Sequence, residues 1–321
     1  MIELGFWKKL KKPILVLAPM ADVTDSVFRK VIAKYGKPDV FWTEFVSADG
    51  LAHKDARKKL LIDLKFDKKE HPIVAQIFGS NEDNIREAGK LAKKLGFDGI
   101  DINMGCPDRS IEKQCAGAGM IKNPESAKKV IQALKDGAKG LPISVKTRIG
   151  YNKDEIDTWI RTILEQDIAV LTVHLRTRKE MSLVPAHWDL MHRVVALRNE
   201  LKKDTLIIGN GDVIDITDAK EKAKIYGCDG VMLGRAIFGN PWLFTGKTPT
   251  LKEKLKVMIE HTKLYEKELG KHKNFSIMKK HYKAYVNGFQ GAKELRMELM
   301  EAKSAKEVKN IIDKFLIDCK L

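Results

Sequence analysis

Short apolar runs alternate with amphipathic segments along most of the chain, from Ile14 to about Gly239. Each run is bounded by turn residues, which is typical of buried β-strands. The predicted strands are Ile14–Ala18, Val40–Val46, Pro72–Phe78, Gly99–Met104, Pro142–Arg148, Ala169–Leu175, Thr205–Asn210 and Asp229–Leu233. Intervening segments place apolar residues three or four positions apart, which predicts helices. The clearest are Asn81–Leu95, Pro124–Gly137, Asp154–Gln166 and Asp215–Tyr226.

Eight strands that alternate with helices predict an α/β fold, a (β/α)8 TIM barrel. A doubly wound open sheet is the competing arrangement. No G-x-G-x-x-G motif follows the first predicted strand, so the barrel is favoured.

The barrel pattern ends at Thr245–Thr250, where a glycine and a proline interrupt it. The rest of the chain has helical periodicity, and Ser304–Glu307 is a capping-box signature that opens a helix over Val308–Phe315. We therefore expect a catalytic barrel domain over residues 1–245 and an all-helical bundle domain over residues 246–321.

Length and composition predict a globular enzyme, because 321 residues with 44% hydrophobic content can bury a sizeable core. Charged residues interrupt Met1–Lys12, which lacks the apolar run of a signal peptide, so we expect a cytoplasmic protein. The cysteines form no C-x-x-C pair, which argues against a disulfide framework and a zinc site, and we expect no metal. They are Cys106, Cys115, Cys228 and Cys319.

The chain is strongly basic, with a formal net charge of +16. Residues 245–321 contain 18 Lys/Arg against 10 Asp/Glu, so half of the excess lies in the last quarter of the chain. A polyanionic partner such as nucleic acid explains this distribution. A lysine-rich, merely solvated surface explains it equally well.

Unusual polar residues lie at the carboxyl ends of the predicted strands, where barrel enzymes build their sites. They are Gln76, Asn103, Cys106, Lys146, Arg148, His174, Arg176, Asn210, Gly211, Asp212, Gly234 and Arg235. A polar group within a buried strand needs a partner, because leaving it unpaired costs free energy. Their convergence on one rim predicts a bound polar ligand.

The seventh and eighth strands indicate what that ligand contains. Gly211 and Gly234 allow backbone N–H groups to approach an anion, beside a short helix that begins at Ala236. These are the strands at which barrels hold phosphates, although glycines also simply end strands in tight turns. Lys146 would then lie near a ring, where its charge could stabilise a reduced isoalloxazine, unless it only caps its strand.

Cys106 follows the strand Gly99–Met104 in a turn that a proline restricts. This position at the end of a parallel strand favours a catalytic thiol. The alternative is a small buried hydrophobe, which is a frequent role of free cysteine.

These residues belong to motifs that together resemble the tRNA-dihydrouridine synthases, flavoproteins that reduce uridine in transfer RNA. The resemblance spans nearly the whole chain. The motifs are Ala18-Pro19-Met20-Ala21-Asp22-Val23-Thr24-Asp25, Gln76-Ile77-Phe78-Gly79, Asn103-x-Gly105-Cys106-Pro107 with Ile111 and Gly117-Ala118, Val145-Lys146-Thr147-Arg148, His174-Leu175-Arg176-Thr177-Arg178, Gly209-Asn210-Gly211-Asp212, and Gly234-Arg235-Ala236 with Pro241-Trp242. Cys115 and Gly119 depart from the family pattern, at positions to which we assign no role.

The resemblance implies a tightly bound FMN. It implies that Pro19, Met20 and Ala21 lie around the flavin and that Gln76, Lys146 and His174 lie at its polar edges. The residues implied to bind its phosphate are Asn210, Gly211, Asp212, Gly234 and Arg235.

The implied reaction has two halves. NADPH reduces FMN, and hydride then passes from flavin N5 to C6 of uridine while Cys106 protonates C5. Hydride addition builds enolate charge that a positioned acid must quench, and an unperturbed thiol with a pKa near 8.5 is largely protonated at neutral pH. The resemblance also implies that Asn103, Arg148 and Arg176 face the uracil.

The carboxyl-terminal helices resemble the family's tRNA-binding domain. Lys279, Lys280 and Lys283 would contact phosphates, while apolar and aromatic residues such as Tyr282 face a core. A solvated charged face is the alternative by composition alone. Two other functions stay open: a barrel flavoenzyme that acts on a small molecule, such as a dihydroorotate-type dehydrogenase, and a non-catalytic RNA-binding protein. We expect a monomer.

Overall fold

A computed structural model describes residues 2–319 as an eight-stranded parallel barrel followed by a helical segment. The strands are β1 (Ile14–Leu17), β2 (Phe41–Ser47), β3 (Ile73–Phe78), β4 (Gly99–Met104), β5 (Ile143–Arg148), β6 (Val170–His174), β7 (Leu206–Asn210) and β8 (Gly230–Leu233). All eight predicted strands are confirmed, each within one residue at either end.

The helices lie between the strands and beyond the last one. They are α1 (Ser26–Tyr35), α2 (Ala48–Ala52), α3 (Lys54–Leu60), α4 (Glu82–Leu95), α5 (Arg109–Glu112), α6 (Pro124–Gly137), α7 (Arg161–Leu164), α8 (Met191–Glu200), α9 (Ile216–Tyr226), α10 (Leu251–Leu269), α11 (Met278–Tyr285), α12 (Ala292–Glu301) and α13 (Ala305–Asp318). No helix within residues 2–319 is long and apolar enough to cross a bilayer.

The sheet closes between β1 and β2. Strand order runs from β1 through β8 and down to β2, with parallel pairing throughout. A bridge joins Val16 to Val40, and the Asp39 N–H donates to the Leu15 carbonyl at 2.9 Å. The predicted (β/α)8 barrel is thereby confirmed.

The inner face of the barrel is apolar at the amino ends of the strands. Trp7, from the segment before β1, lies on Trp42 of β2 with ring centroids 5.7 Å apart, and Val74, Val170 and Ile208 belong to the same buried cluster. Because side chains alternate along a strand, residues two positions further share this inner face. Toward the carboxyl ends those residues are polar, so the barrel interior changes from hydrocarbon to a polar site.

Two local predictions differ from the structure. The predicted helix Asp154–Gln166 begins with a π-helical turn over Ile156–Ile160 and becomes α-helical only in α7. The turn's Trp159 is buried, and its indole N–H donates to Thr147 Oγ1 at 2.9 Å. The short helix predicted at Ala236 is a 3₁₀ turn over Arg235–Ile237.

The helical segment packs on α1 of the barrel. Glu260 of α10 accepts hydrogen bonds from Lys34 and from the Tyr35 hydroxyl, and Phe28 stacks on His261 at a centroid distance of 4.8 Å. Ser304 caps α13 as predicted, but the Glu307 carboxylate accepts from the Lys303 N–H rather than from Ser304 N–H, so only half of the capping box forms.

Candidate active site

A cavity of about 590 Å³ opens at the carboxyl ends of the strands. Its volume falls within the range of small-molecule and cofactor sites. Most of the predicted cofactor residues line it, together with Arg176: Pro19, Met20, Lys146, His174, Asn210, Gly211, Asp212, Gly234 and Arg235. The fold therefore brings residues from five strands and their loops to one site.

Asp212 organises one end of the cavity. Its carboxylate accepts hydrogen bonds from Arg176 and from Arg235, the latter at 2.5 Å, and its Oδ2 also accepts from the Ala186 N–H. The Arg176 guanidinium holds the pKa of Asp212 below its usual value. A carboxylate would repel a phosphate directly, so the geometry gives Asp212 the task of orienting two cations.

Gly211 lies where no larger residue fits. Its φ is +128°, and an added Cβ would come within 2.7 Å of the Ala186 Cβ. Gly234 is different, because a Cβ there would meet only Ala18 and Met20 at ordinary contact distances. The absence of a side chain at Gly234 therefore leaves more room in the cavity, but a Cβ there would cause no clash.

Lys146 and His174 form a polar wall of the cavity. Within residues 2–319 the Lys146 ammonium makes no hydrogen bond or ion pair, and burial lowers its pKa to about 8, so it is mostly charged at neutral pH. Burial and the nearby cations Arg148, Lys146 and Arg176 hold the pKa of His174 well below its usual range. The imidazole is neutral, and the excess positive charge suits an anionic ligand.

The loop after β4 holds Cys106 in a tight fold. Asn103 Oδ1 accepts from the N–H groups of Gly105 at 3.1 Å and of Cys106 at 2.9 Å, and the Ala118 N–H returns to the Cys106 carbonyl. Gly117 has a φ of +58°, and a Cβ there would lie 2.8 Å from that carbonyl oxygen. The spacing between the Cys106 and Gly117 motifs thus closes a loop around the thiol.

The Cys106 thiol is partly buried beside the cavity. Burial raises its pKa, while Lys146 and Arg148 act in the opposite direction. The thiol therefore stays protonated at neutral pH, and the cations are placed to stabilise a thiolate.

Gln76 and Asn103 lie deeper, in a chain of buried hydrogen bonds. Gln76 Nε2 donates to Asp101 Oδ2 at 2.7 Å, and Asn103 Nδ2 donates to Gln76 Oε1 at 3.0 Å. The Ser144 hydroxyl donates to Asp101 Oδ1 at 2.6 Å. The cavity lining does not include Gln76, Asn103, Cys106 or Ala21. Ala21 is exposed on the surface of the protein.

The two predicted substrate arginines take different positions. Arg148 donates through Nε to the Gly105 carbonyl at 2.8 Å and through Nη1 to the carbonyls of Thr177 and Met181, which leaves Nη2 without a partner within residues 2–319. Arg176 Nη1 lies 3.1 Å from His174 Nε2, on the side of Asp212. Arg148 thus adjoins the Cys106 loop, and Arg176 adjoins the cationic end of the cavity.

Several residues of the site had no sequence signal of their own. Ser182, Val213, Ile214 and Met232 also line the cavity. Asp101 does have a sequence signal, because it is a single carboxylate inside a buried strand.

Solved structures share the barrel fold. One is the old yellow enzyme homologue from Zymomonas mobilis, with a TM-score of 0.52 and 14% identity over 73% of this chain and 89% of that one. Another is histamine dehydrogenase from Rhizobium sp. 4-9, with a TM-score of 0.53 and 12% identity over 82% of this chain and 50% of that one. Together with the cavity, they define a TIM-barrel protein with its site at the strand carboxyl ends.

Sequence comparison is more specific. A family profile described as dihydrouridine synthase matches residues 16–319. A probable tRNA-dihydrouridine synthase of Staphylococcus aureus strain Mu50 is 44% identical over 97% of this chain and 95% of its own length. The probable tRNA-dihydrouridine synthase 2 of Bacillus subtilis strain 168 is 44% identical over 97% of this chain and 96% of its own. The chain belongs to the dihydrouridine synthase family and is a flavin-dependent oxidoreductase.

Proposed function

We propose that this protein reduces uridines in tRNA to 5,6-dihydrouridine, with FMN as the flavin and NADPH as the reductant. The observation that carries the proposal is the position of the partly buried Cys106 thiol beside a cavity lined by Lys146, Arg176 and Arg235. The names of the relatives support the substrate, since both are described as probable tRNA-dihydrouridine synthases.

The cavity residues fit an FMN. Lys146 has a charge that no residue within 2–319 pairs, and neutral His174 can exchange hydrogen bonds with a ring. Arg235, oriented by Asp212, suits a phosphate. Pro19, Met20, Asn210, Gly211 and Gly234 complete the proposed cradle. Ala21 is proposed to lie around the flavin and Gln76 at its polar edge, and neither residue lines the cavity.

Cys106 is the proposed proton donor. Bound FMN, once reduced, would supply the hydride for C6 of the uracil. The Cys106 S–H bond breaks as its proton goes to C5, and the thiolate that remains is stabilised by Lys146 and Arg148. The partly buried sulfur then takes a new proton from solvent.

Three residues are proposed to face the uracil. Arg148 Nη2 carries N–H groups that no residue within 2–319 accepts, which suits a uracil carbonyl. Asn103 retains a second amide N–H beyond its bond to Gln76. Arg176 is the third, and it would act from the His174 side.

The proposed tRNA surface lies beside this site. Lys273 and Lys280, both from the helical segment, reach Glu44 at 2.9 Å and Asp22 at 3.6 Å on the barrel's carboxyl-end rim. We propose that residues 246–321 act as the tRNA-binding domain on the catalytic barrel of residues 1–245. A tRNA held there would present an extruded uridine to the cavity.

The test is a visible spectrum of the purified protein, followed by anaerobic addition of unmodified tRNA to the NADPH-reduced enzyme. Reoxidation of the flavin by tRNA, with dihydrouridine in the product, is the expected result. A reduced flavin that tRNA leaves unchanged, but that a small oxidised pyrimidine reoxidises, would assign a small-molecule reaction instead. A protein that takes up no FMN on reconstitution would overturn the cofactor assignment.

A further inference from the structure

Asp101 is a fully buried carboxylate that the proposed reaction does not use. It lies on β4, two residues before Asn103, on the inner face of the barrel. Each of its oxygens accepts one short hydrogen bond, from the Ser144 hydroxyl at 2.6 Å and from Gln76 Nε2 at 2.7 Å. Burying a charge is costly, so this residue needs an explanation other than packing.

An ionised carboxylate only accepts hydrogen bonds, and this property gives the chain of amides a direction. Gln76 must turn its NH₂ group toward Asp101, so its oxygen faces Asn103. Asn103 must then turn its own NH₂ group toward Gln76, so its oxygen faces the loop and accepts from the N–H groups of Gly105 and Cys106. Reversing Asn103 would turn its NH₂ group toward these N–H donors. Reversing Gln76 would oppose its oxygen to the Asp101 carboxylate and its NH₂ group to that of Asn103.

We propose that Asp101 is a positioning residue: its charge sets the direction of the hydrogen bonds through Gln76 and Asn103 and thereby anchors the loop that carries the Cys106 thiol. The role of the thiol rests on the proposed function, but the anchoring of the loop does not. Asp101 touches neither the cavity nor the loop itself, so its contact with the loop runs through the two amides. Its charge also raises the pKa of Lys146 on the next strand.

The anchor should weaken in acid. Burial raises the pKa of Asp101 to about 6, and the charged group that acts on it from the next strand is Lys146, which lowers the pKa. The neighbours on β3 and β2 are Gln76 and Trp42, neither of which titrates in this range. Protonated Asp101 becomes a donor, and the direction of the chain is then no longer enforced.

Three variants separate this role from general stability. Asp101→Ala removes the constraint, and Asp101→Asn keeps the shape but can present either its oxygen or its NH₂ group to Gln76, because Ser144 both donates and accepts. Ser144→Ala is the matched control: it removes a bond of similar length from the same carboxylate but leaves the charge and the amide chain in place.

The measurement is alkylation of the FMN-loaded protein by iodoacetamide between pH 5.5 and 8, with the peptides resolved by mass. The rate at Cys106 is divided by the rate at exposed Cys319. For the wild type we expect this ratio to rise as pH falls through about 6. In Asp101→Asn it should not change with pH, and in Asp101→Ala it should be high throughout, with turnover on tRNA lower by about 100-fold.

Ser144→Ala should have the same ratio as the wild type at pH 8. As the pH falls, its ratio should begin to rise at a higher pH than in the wild type, because the lost hydrogen bond had lowered the pKa of Asp101. A wild-type ratio that is flat across the range would overturn the proposal. So would an Asp101→Asn ratio with the wild-type pH dependence. Neither result depends on turnover, so failure here is distinguishable from failure of the proposed function.

Discussion

Cys106 has two properties that a proton donor needs at neutral pH. Burial keeps its thiol protonated, and two cations lie where they lower the cost of the thiolate. A nucleophilic cysteine would show the opposite, a strongly depressed pKa. At the scale of this residue the surroundings favour acid catalysis.

Replacing Cys106 with alanine should separate the two halves of the reaction. Cys106→Ala should bind FMN and accept electrons from NADPH as the wild type does, but lose about 100-fold or more in turnover on tRNA, because general acid catalysis contributes about 10²–10⁴-fold. Stopped-flow flavin spectra and dihydrouridine assays measure the halves. Cys115→Ala, an exposed thiol on the same loop, is the control. Near-normal dihydrouridine formation by Cys106→Ala would remove this thiol from the mechanism.

Gly117 tests whether the closed loop matters. Gly117→Ala forces a methyl group to within 2.8 Å of the Cys106 carbonyl at a φ of +58°. Gly96→Ala imposes a similar φ with nothing within 4 Å. Gly96→Ala should lose about 1–2 kcal/mol in the free energy of unfolding from its positive φ alone, and Gly117→Ala should lose more because of the added clash. Only Gly117→Ala should also lose turnover, and equal activity losses in the two variants would show that the contact with Cys106 is unimportant.

At the level of the helices, α10 and α11 contact Phe28 of α1 through two histidines that belong to no sequence motif. His261 and His281 are fully buried, with ring centroids 4.6 Å apart, and none of their ring nitrogens has a partner within residues 2–319. Burial holds the pKa of His261 well below its usual range and lowers that of His281 to about 3. Both rings are neutral in the folded protein.

This pair predicts acid sensitivity. Below a pH of about 6.5 the two histidines bind protons in the unfolded chain but stay neutral in the folded protein. The free energy of unfolding therefore falls as the pH falls. Each histidine should contribute a loss of about 1 kcal/mol between pH 7 and pH 5.5. His281→Leu should reduce the loss by that amount in urea titrations at the two pH values. An unchanged pH dependence in His281→Leu would mean that this ring is protonated in the folded protein.

In the molecule as a whole, the helical segment brings Lys280 of α11 to 3.6 Å from Asp22, which lies two residues after Met20 of the cavity lining. Lys280 and Lys283 of α11 are exposed and Lys279 is half-buried, while Met278, Tyr282 and Tyr285 of the same helix are fully buried. The predicted division of α11 into a core face and a basic face is therefore confirmed. Its contribution to tRNA binding stays a prediction.

Reversing these charges should weaken tRNA binding. We expect a weaker salt dependence in a protein that combines Lys279→Glu, Lys280→Glu and Lys283→Glu. The slope of log affinity against log salt should become less negative by about 3, because each replaced lysine removes about one phosphate contact. Flavin reduction by NADPH should not change. The control reverses Lys8, Lys9 and Lys11, which are exposed in the segment before β1 and give the same change of net charge. Equal salt slopes in the two proteins would place the RNA surface elsewhere.

Local patterns along the chain are enough to predict the barrel and the polar residues at the ends of its strands. Apolar runs bounded by turns marked all eight strands, and β4 and α6 have the predicted bounds, because alternation and helical periodicity are local properties of a chain. The predicted polar residues lie at the strand carboxyl ends for the same reason: each strand fixes where its own last side chains stand.

The pairing of those residues depends on the folded protein. Arg176 turns to Asp212, 36 positions away, and the chain from Asp101 through Gln76 to Asn103 crosses from β4 to β3 and back. The π-helical turn at Ile156–Ile160 and the contact of His261 with His281 likewise depend on distant packing. Buried hydrogen-bond partners are set by strand register and by the direction in which side chains must satisfy one another, and these properties exist only when the strands lie side by side.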